Sequence, residues 1–198
     1  MALVPRPLAT FNLSQTSILV LSGSSAEMDL YVQMLCGFGA TTIHRASSQL
    51  EAASMLSSSE LDLVLVDAKL PEGDGYEFVR TLRRQPSRLN FVPVLMVAGH
   101  TPRSKVALAR DCGAHFIVRK PLSPGVLLER ILWIAQESRA FLETDTYVGP
   151  DRRFQCVGPP ETGPRRKDDL PIEVGAPSGP DMDQSEVDQL FKPRKASA

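Results

Sequence analysis

Cysteine is scarce in this chain: Cys36, Cys112 and Cys156 are the only three in 198 residues. They lie far apart, with no CxxC and no Cys/His ligand spacing, which argues against a disulfide framework or a zinc site and makes a reducing cytoplasm the expected location. Long apolar runs are also missing. No segment approaches the roughly 20 apolar residues that cross a bilayer, and two prolines break the N-terminal MALVPRPLAT, which therefore does not read as a signal peptide. Neither sign of charge is in excess, with 22 Lys and Arg against 23 Asp and Glu, so bulk attraction to DNA or to a membrane is not expected. The three histidines, His44, His100 and His115, fall on different segments without ligand spacing and are expected to face solvent.

What the chain does have is a regular alternation. Strand candidates are ILVL (18–21), TTIHR (41–45), LDLVLVD (61–67), VPVLMV (92–97) and HFIVR (115–119). All but the second are nearly continuous apolar runs, as strands covered on both faces require. Helical periodicity fills the gaps, in SAEMDLYVQMLCGFG, SSQLEAASMLSSS, YEFVRTLRRQ, RSKVALARDCG and a longer SPGVLLERILWIAQESRAFL. Five β/α units imply an α/β fold with a doubly wound parallel sheet. In such sheets the chemistry gathers at the carboxyl ends of the strands. Strand one ends in Ser22-Gly23, strand three in Asp67, strand four in Ala98-Gly99-His100 and strand five in Lys120-Pro121. An acid and a lysine at neighbouring strand ends read either as a buried ion pair supporting a loop or as a phosphoacceptor with its lysine.

DLVLVDAKLPEGDGYEFVRTLR resembles the central signature of response-regulator receiver domains, a strand ending in the phosphorylatable Asp and followed by xxMPxMDG. Asp67 falls on the acceptor, Leu70-Pro71 on Met-Pro and Asp74-Gly75 on Asp-Gly. VPVLMVAG resembles the fourth strand, and GAHFIVRKP matches GAxxYxxKP with Lys120 on the lysine that contacts the phosphoryl group. The resemblance covers roughly residues 16 to 138 and implies the flavodoxin-like receiver sheet, strand order 2-1-3-4-5. It also exposes departures. The acidic pair that helps hold Mg2+ in the family is Ser22-Gly23 here, the switch Thr or Ser is Ala98, and the aromatic of strand five is Ile117, with Phe116 on the opposite face. Mg2+ wants carboxylate oxygens in octahedral array, so no metal is expected unless an acid such as Glu27, in the first helical turn, replaces the pair. Asp74 is expected to serve the turn, and Ser24 or Ser25 to cap the first helix.

Residues 1–14 read as a flexible leader, 15–141 as the receiver domain and 142–198 as a largely disordered tail, because apolar residues thin out and half of the 16 prolines lie beyond residue 142. Arg152, Arg153, Arg165 and Arg166 form either a solvated charge run or, as in some receiver-like proteins, a site for cyclic di-GMP. MDQSEVDQLF (182–191) places Met182, Val187, Leu190 and Phe191 at helical spacing in an acidic setting. It is similar to the docking segment of the flagellar motor switch protein and to the receiver-binding end of the chemotaxis phosphatase. It could bind a second receiver or fold back on helix four, strand five and helix five of its own chain, or be uninvolved. Trp133 in helix five is either a packing residue or part of that surface.

The expectation is a signalling module of the two-component, phosphorelay or chemotaxis kind. It would act by binding a histidine kinase, another receiver, a flagellar or chemotaxis component, or a second copy through helix four, strand five and helix five. It has no turnover of its own, and phosphorylation is weak or absent. The alternatives are a working receiver phosphorylated on Asp67 with Mg2+, and a cyclic di-GMP adaptor using the tail arginines.

Overall fold

The computed structural model describes residues 12–85, 88–136, 140–144, 146–151 and 181–191, with the side chains of 189–191 outside the description. Five apolar segments become strands: β1 (Ser17–Leu21), β2 (Thr42–Ala46), β3 (Leu63–Asp67), β4 (Val94–Ala98) and β5 (Phe116–Arg119). They pair in the order β2-β1-β3-β4-β5, all parallel. Every residue of β3 and β4 is buried, whereas β2 at the edge is half exposed. This is why β2 alone lacked a continuous apolar run.

Helices α1 (Ser25–Gly37), α2 (Gln49–Ser58), α3 (Gly75–Arg84), α4 (Arg103–Asp111) and α5 (Pro124–Gln136) make the connections. Their starts follow local chemistry. The Ser24 hydroxyl accepts from the Glu27 N–H, Ser48 from Glu51 and Asp74 from Tyr76, each satisfying a donor that a first turn leaves open. Asp74 thus belongs to the turn, as expected. One core cluster joins sheet and helices, from Ile18 through Val64 and Leu95 to Leu127. Among the described residues no helix is long and apolar enough to cross a membrane.

The structure departs from the sequence reading at both ends. Leu13, assigned to the leader, is 3% exposed and donates its N–H to the Phe38 carbonyl; residues 1–11 lie outside the described set. The tail boundary at 142 also moves. Phe141–Glu143 (β6) and Val148–Pro150 (β7) form an antiparallel hairpin. Phe141 packs edge-on against Phe91 with centroids 4.8 Å apart and lies under the buried Arg83 guanidinium. Tyr147 is buried, its hydroxyl donating to the Pro150 carbonyl. Two aromatics suffice because they cap an existing core rather than build one. His115 is another correction. It is half-buried, and its Nδ1 accepts from the Val94 N–H at 3.1 Å, so it does not face solvent.

Beyond residue 180 a sixth helix, α6 (Gln184–Phe191), lies against the domain. Val187 is fully buried in the core cluster and Met182 packs beside it. Of the three outcomes open to this segment, the structure shows it folded back on its own domain. Residues 152–180 and 192–198, with Arg152, Arg153, Arg165 and Arg166, lie outside the described residues, as do the Leu190 and Phe191 side chains.

Candidate functional site

Parallel register sets the site. Asp67 pairs with Val97, and Ala98 with Arg119, so Asp67, Ala98 and Lys120 meet at one edge of the sheet. The loop after Asp67 is a tight ribbon, Lys69–Leu70 against Gly73–Asp74, which returns α3 to the base of β3. Gly75 makes that return possible. A Cβ there would lie 2.2 Å from the Asp67 carbonyl oxygen. The Asp-Gly of the signature is therefore a cap followed by a required close approach.

Asp67 is 3% exposed. Its Oδ2 accepts from Lys120 Nζ at 2.7 Å and from Ser22 Oγ at 3.3 Å. The same Lys120 ammonium donates to Glu27 Oε1 at 2.7 Å. Glu27, reached from α1, is thus brought into the site as the sequence allowed, but as a second carboxylate on the lysine. Burial pushes the Asp67 carboxyl up to about 6; Lys120 opposes this and the Glu27 charge adds to it. Burial is the largest single influence on Glu27 and opposes its charge, yet the hydrogen bonds and charge of Lys120, with hydrogen bonds to Asp67 and Ser22, together outweigh it and hold that carboxyl below its ordinary range. Lys120 itself loses to burial but gains more from its two carboxylates, so it stays firmly protonated.

The acids and lysine open into a cleft of about 540 Å³, also lined by Lys69, Tyr76, Gly99, His100 and Lys105. Lys105 Nζ sits 5.2 Å over the Tyr76 ring. Tyr31 is a participant that the sequence reading missed. It is 2% exposed, and its phenol is raised first by burial and then by the Asp67 charge. Its position one turn after Glu27 on α1 was the available signal.

These residues fit Mg2+ poorly. A hard octahedral ion needs several oxygen ligands of which carboxylates are the best, but the carboxylate oxygens nearest each other are already bridged by an ammonium. Ser22 contributes one neutral hydroxyl, itself turned to Asp67. At Gly23 a Cβ would lie 2.2 Å from Pro71 Cδ, so this position offers no side-chain oxygen to an ion. Among the described residues no group of three His, Cys, Asp or Glu side chains is arranged to hold a metal.

Of the remaining candidates, Ala98 ends β4 in the lining of this cleft and is 2% exposed, whereas Ile117 is fully buried in β5. Phe116, on the other face of β5, meets Trp133 edge-on at 4.2 Å, which makes Trp133 a half-buried packing residue on α5.

The doubly wound sheet brings an acid from the end of β3 and a lysine from beyond β5 together across the end of β4. The chain belongs to the response regulator receiver domain family, whose model matches residues 13–132. It is 30% identical over 114 residues to the chemotaxis protein CheY of Pseudomonas aeruginosa, covering 58% of this chain and 91% of that one. It is 36% identical over 94 residues to the KDP operon transcriptional regulatory protein KdpE of Escherichia coli, covering 48% of this chain but only 37% of KdpE. Among solved structures, CheY4 of Vibrio cholerae superposes with a TM-score of 0.57 at 25% identity, over 60% of this chain and 98% of that one. The match to a chemotaxis receiver is nearly end to end, whereas the match to the larger regulator spans about a third of its length. The chain is a response-regulator receiver of two-component or chemotaxis signalling.

Proposed function

We propose that this receiver signals by binding other proteins from a face on which Mg2+-dependent phosphorylation of Asp67 is weak or absent. One observation carries the reading: the Lys120 ammonium bridges Asp67 and Glu27 at 2.7 Å each, beside a loop whose acids are replaced by Ser22 and Gly23. Transfer to Asp67 would have its carboxylate oxygen attack phosphorus while the bond to the leaving oxygen breaks. A bound metal contributes several kcal/mol to such a step by neutralising the phosphoryl oxygens. Here the attacking oxygen is held by Lys120, and its raised pKa keeps part of the population protonated near neutral pH. Asp67 and Lys120 then act as a fixed pair that holds the loop face in shape, and Ala98 leaves no hydroxyl to report on a phosphoryl group.

Contacts with partners are assigned to the side of the domain formed by α4, β5 and α5, where Trp133 lies, and to the C-terminal segment with Met182, Val187, Leu190 and Phe191. Partners are signalling proteins of the same pathway in the cytoplasm. The test is to incubate the chain with acetyl phosphate and Mg2+ and to measure its intact mass. The expected result is no phosphoryl adduct. An adduct that accumulates in the native chain and disappears in Asp67→Asn would overturn the proposal and install a working phosphoacceptor in its place.

A further inference from the structure

Arg83, on the last turn of α3, is a buried cation at 2% exposure. Its donors reach the carbonyls of Gly113, Asn90 and Val92 at 2.7–3.0 Å, and its Nη2 lies 3.4 Å from His115 Nδ1. That ring nitrogen accepts from the Val94 N–H and carries no negative charge. Burial lowers the guanidinium only to about 10, which leaves it charged at neutral pH. Among the described residues no carboxylate is ion-paired with it. Arg130, also buried, has Asp188 for that purpose. Carbonyls satisfy the hydrogens of Arg83, but buried charge is as a rule matched by opposite charge.

A small cavity of about 80 Å³ adjoins this charge. Arg80, Arg83 and Arg84 of α3 wall one side, and Thr144, Thr146 and Val148 of the β6–β7 hairpin wall the other. Arg84 is exposed and has no acid partner among the described residues. Arg80 donates to Glu77 at 2.6 Å, an exposed pair of the kind that contributes little. Asp111 also lines the space, with its Oδ1 3.5 Å from Arg110 Nε. Guanidinium groups present paired donors that match two oxygens of a phosphate. The cavity lies away from Asp67, because α3 starts beside that cleft at Gly75 and ends at Arg84, about 14 Å further along the helix.

We propose that this cavity is an oxyanion site for a phosphate group, carried by inorganic phosphate or by a small phosphate monoester. Arg80 and Arg84 hold its oxygens from the solvent side, Thr146 donates from the hairpin, and Arg83 supplies charge from beneath. Thr144 shapes the turn instead, since its Oγ1 donates to the Tyr147 carbonyl at 3.1 Å and accepts from the Tyr147 N–H at 3.0 Å. A group bound here ties the hairpin turn to α3 and stabilises the hairpin by mass action. Nothing in this depends on the state of Asp67.

The test is calorimetric titration of the full chain with inorganic phosphate and, separately, with glycerol 3-phosphate, in chloride buffer at constant ionic strength. Saturable binding at a single site is expected. Tighter binding of inorganic phosphate marks the free anion as the ligand, tighter binding of glycerol 3-phosphate marks a monoester, and either upholds the site. Arg84→Ala, at an exposed position outside the core, should weaken binding by about tenfold or more, as loss of a charge-assisted hydrogen bond does. Asp67→Asn should bind as the native chain does. Hydrogen exchange gives the location: phosphate should slow exchange of the Tyr147 amide. No saturable binding, binding that Arg84→Ala leaves unchanged, or binding that Asp67→Asn abolishes would overturn the inference. Asp145 falls between the two threonines and outside the described residues. Phosphate binding seen only in Asp145→Asn would overturn it too, because the chain would then hold a counter-anion of its own.

Discussion

Gly23 and Asp67 show how single residues set the character of the cleft. Gly23 faces the Pro71 ring so closely that even a methyl group there would meet a ring carbon at 2.2 Å. Gly23→Ala is expected to cost about 1–3 kcal/mol, the usual range for overpacking, read as a lower urea midpoint with an unchanged slope. Asp67 carries a different liability. Its folded pKa, about 6, exceeds the carboxyl's ordinary value of 3.8, so the folded state binds the extra proton between those two pH values. Its contribution to stability is full below about pH 4 and lost as the pH rises through 6. Asp67→Asn should therefore be more stable than the native chain at pH 7, by on the order of 1–3 kcal/mol. The difference should vanish near pH 4. Urea titrations of both proteins from pH 4 to 7.5 measure this, and a constant difference across the range would contradict it.

At the scale of elements, the five strands and five helices were legible because burial on both faces writes itself as apolar runs and helix starts as Ser and Asp caps. Asp67 and Lys120 were legible because each ends such a run. Glu27 was visible only as a possibility, since its reach to Lys120 depends on the angle at which α1 leaves β1. The β6–β7 hairpin was hidden for another reason. Its stability comes from Arg83, whose Nε and Nη1 donate to the carbonyls of Gly113, Asn90 and Val92 at 2.7–3.0 Å while its flat face receives Phe141. Nothing local in FLETDTYVGP announces a guanidinium supplied from α3. Burial pushes Arg83 down to about 10, which still leaves it charged at neutral pH. Arg83→Ala should cost about 3 kcal/mol or more, since each abandoned carbonyl carries a desolvation penalty of about 1–3 kcal/mol. Calorimetric melting would show the loss, and exchange at the Asp151 amide, which donates to the Ala140 carbonyl, would show the hairpin opening with it.

Across the whole molecule, two short connections join the acidic cleft to the seat of α6. In residues 98–102, Gly99 and His100 line the cleft while Thr101 grips Met182. In the next connection Arg119 holds Gln184 and Lys120 holds the two carboxylates. Thermodynamic linkage makes any coupling across these two connections two-way: unseating the terminal helix would alter the proton affinity of the aspartate by the same free energy with which protonating that aspartate alters the hold on the helix. The strand edge is thus a listening post as much as a transmitter, and carbon-13 titration of that one carboxyl, with the helix seated and unseated, would hear it.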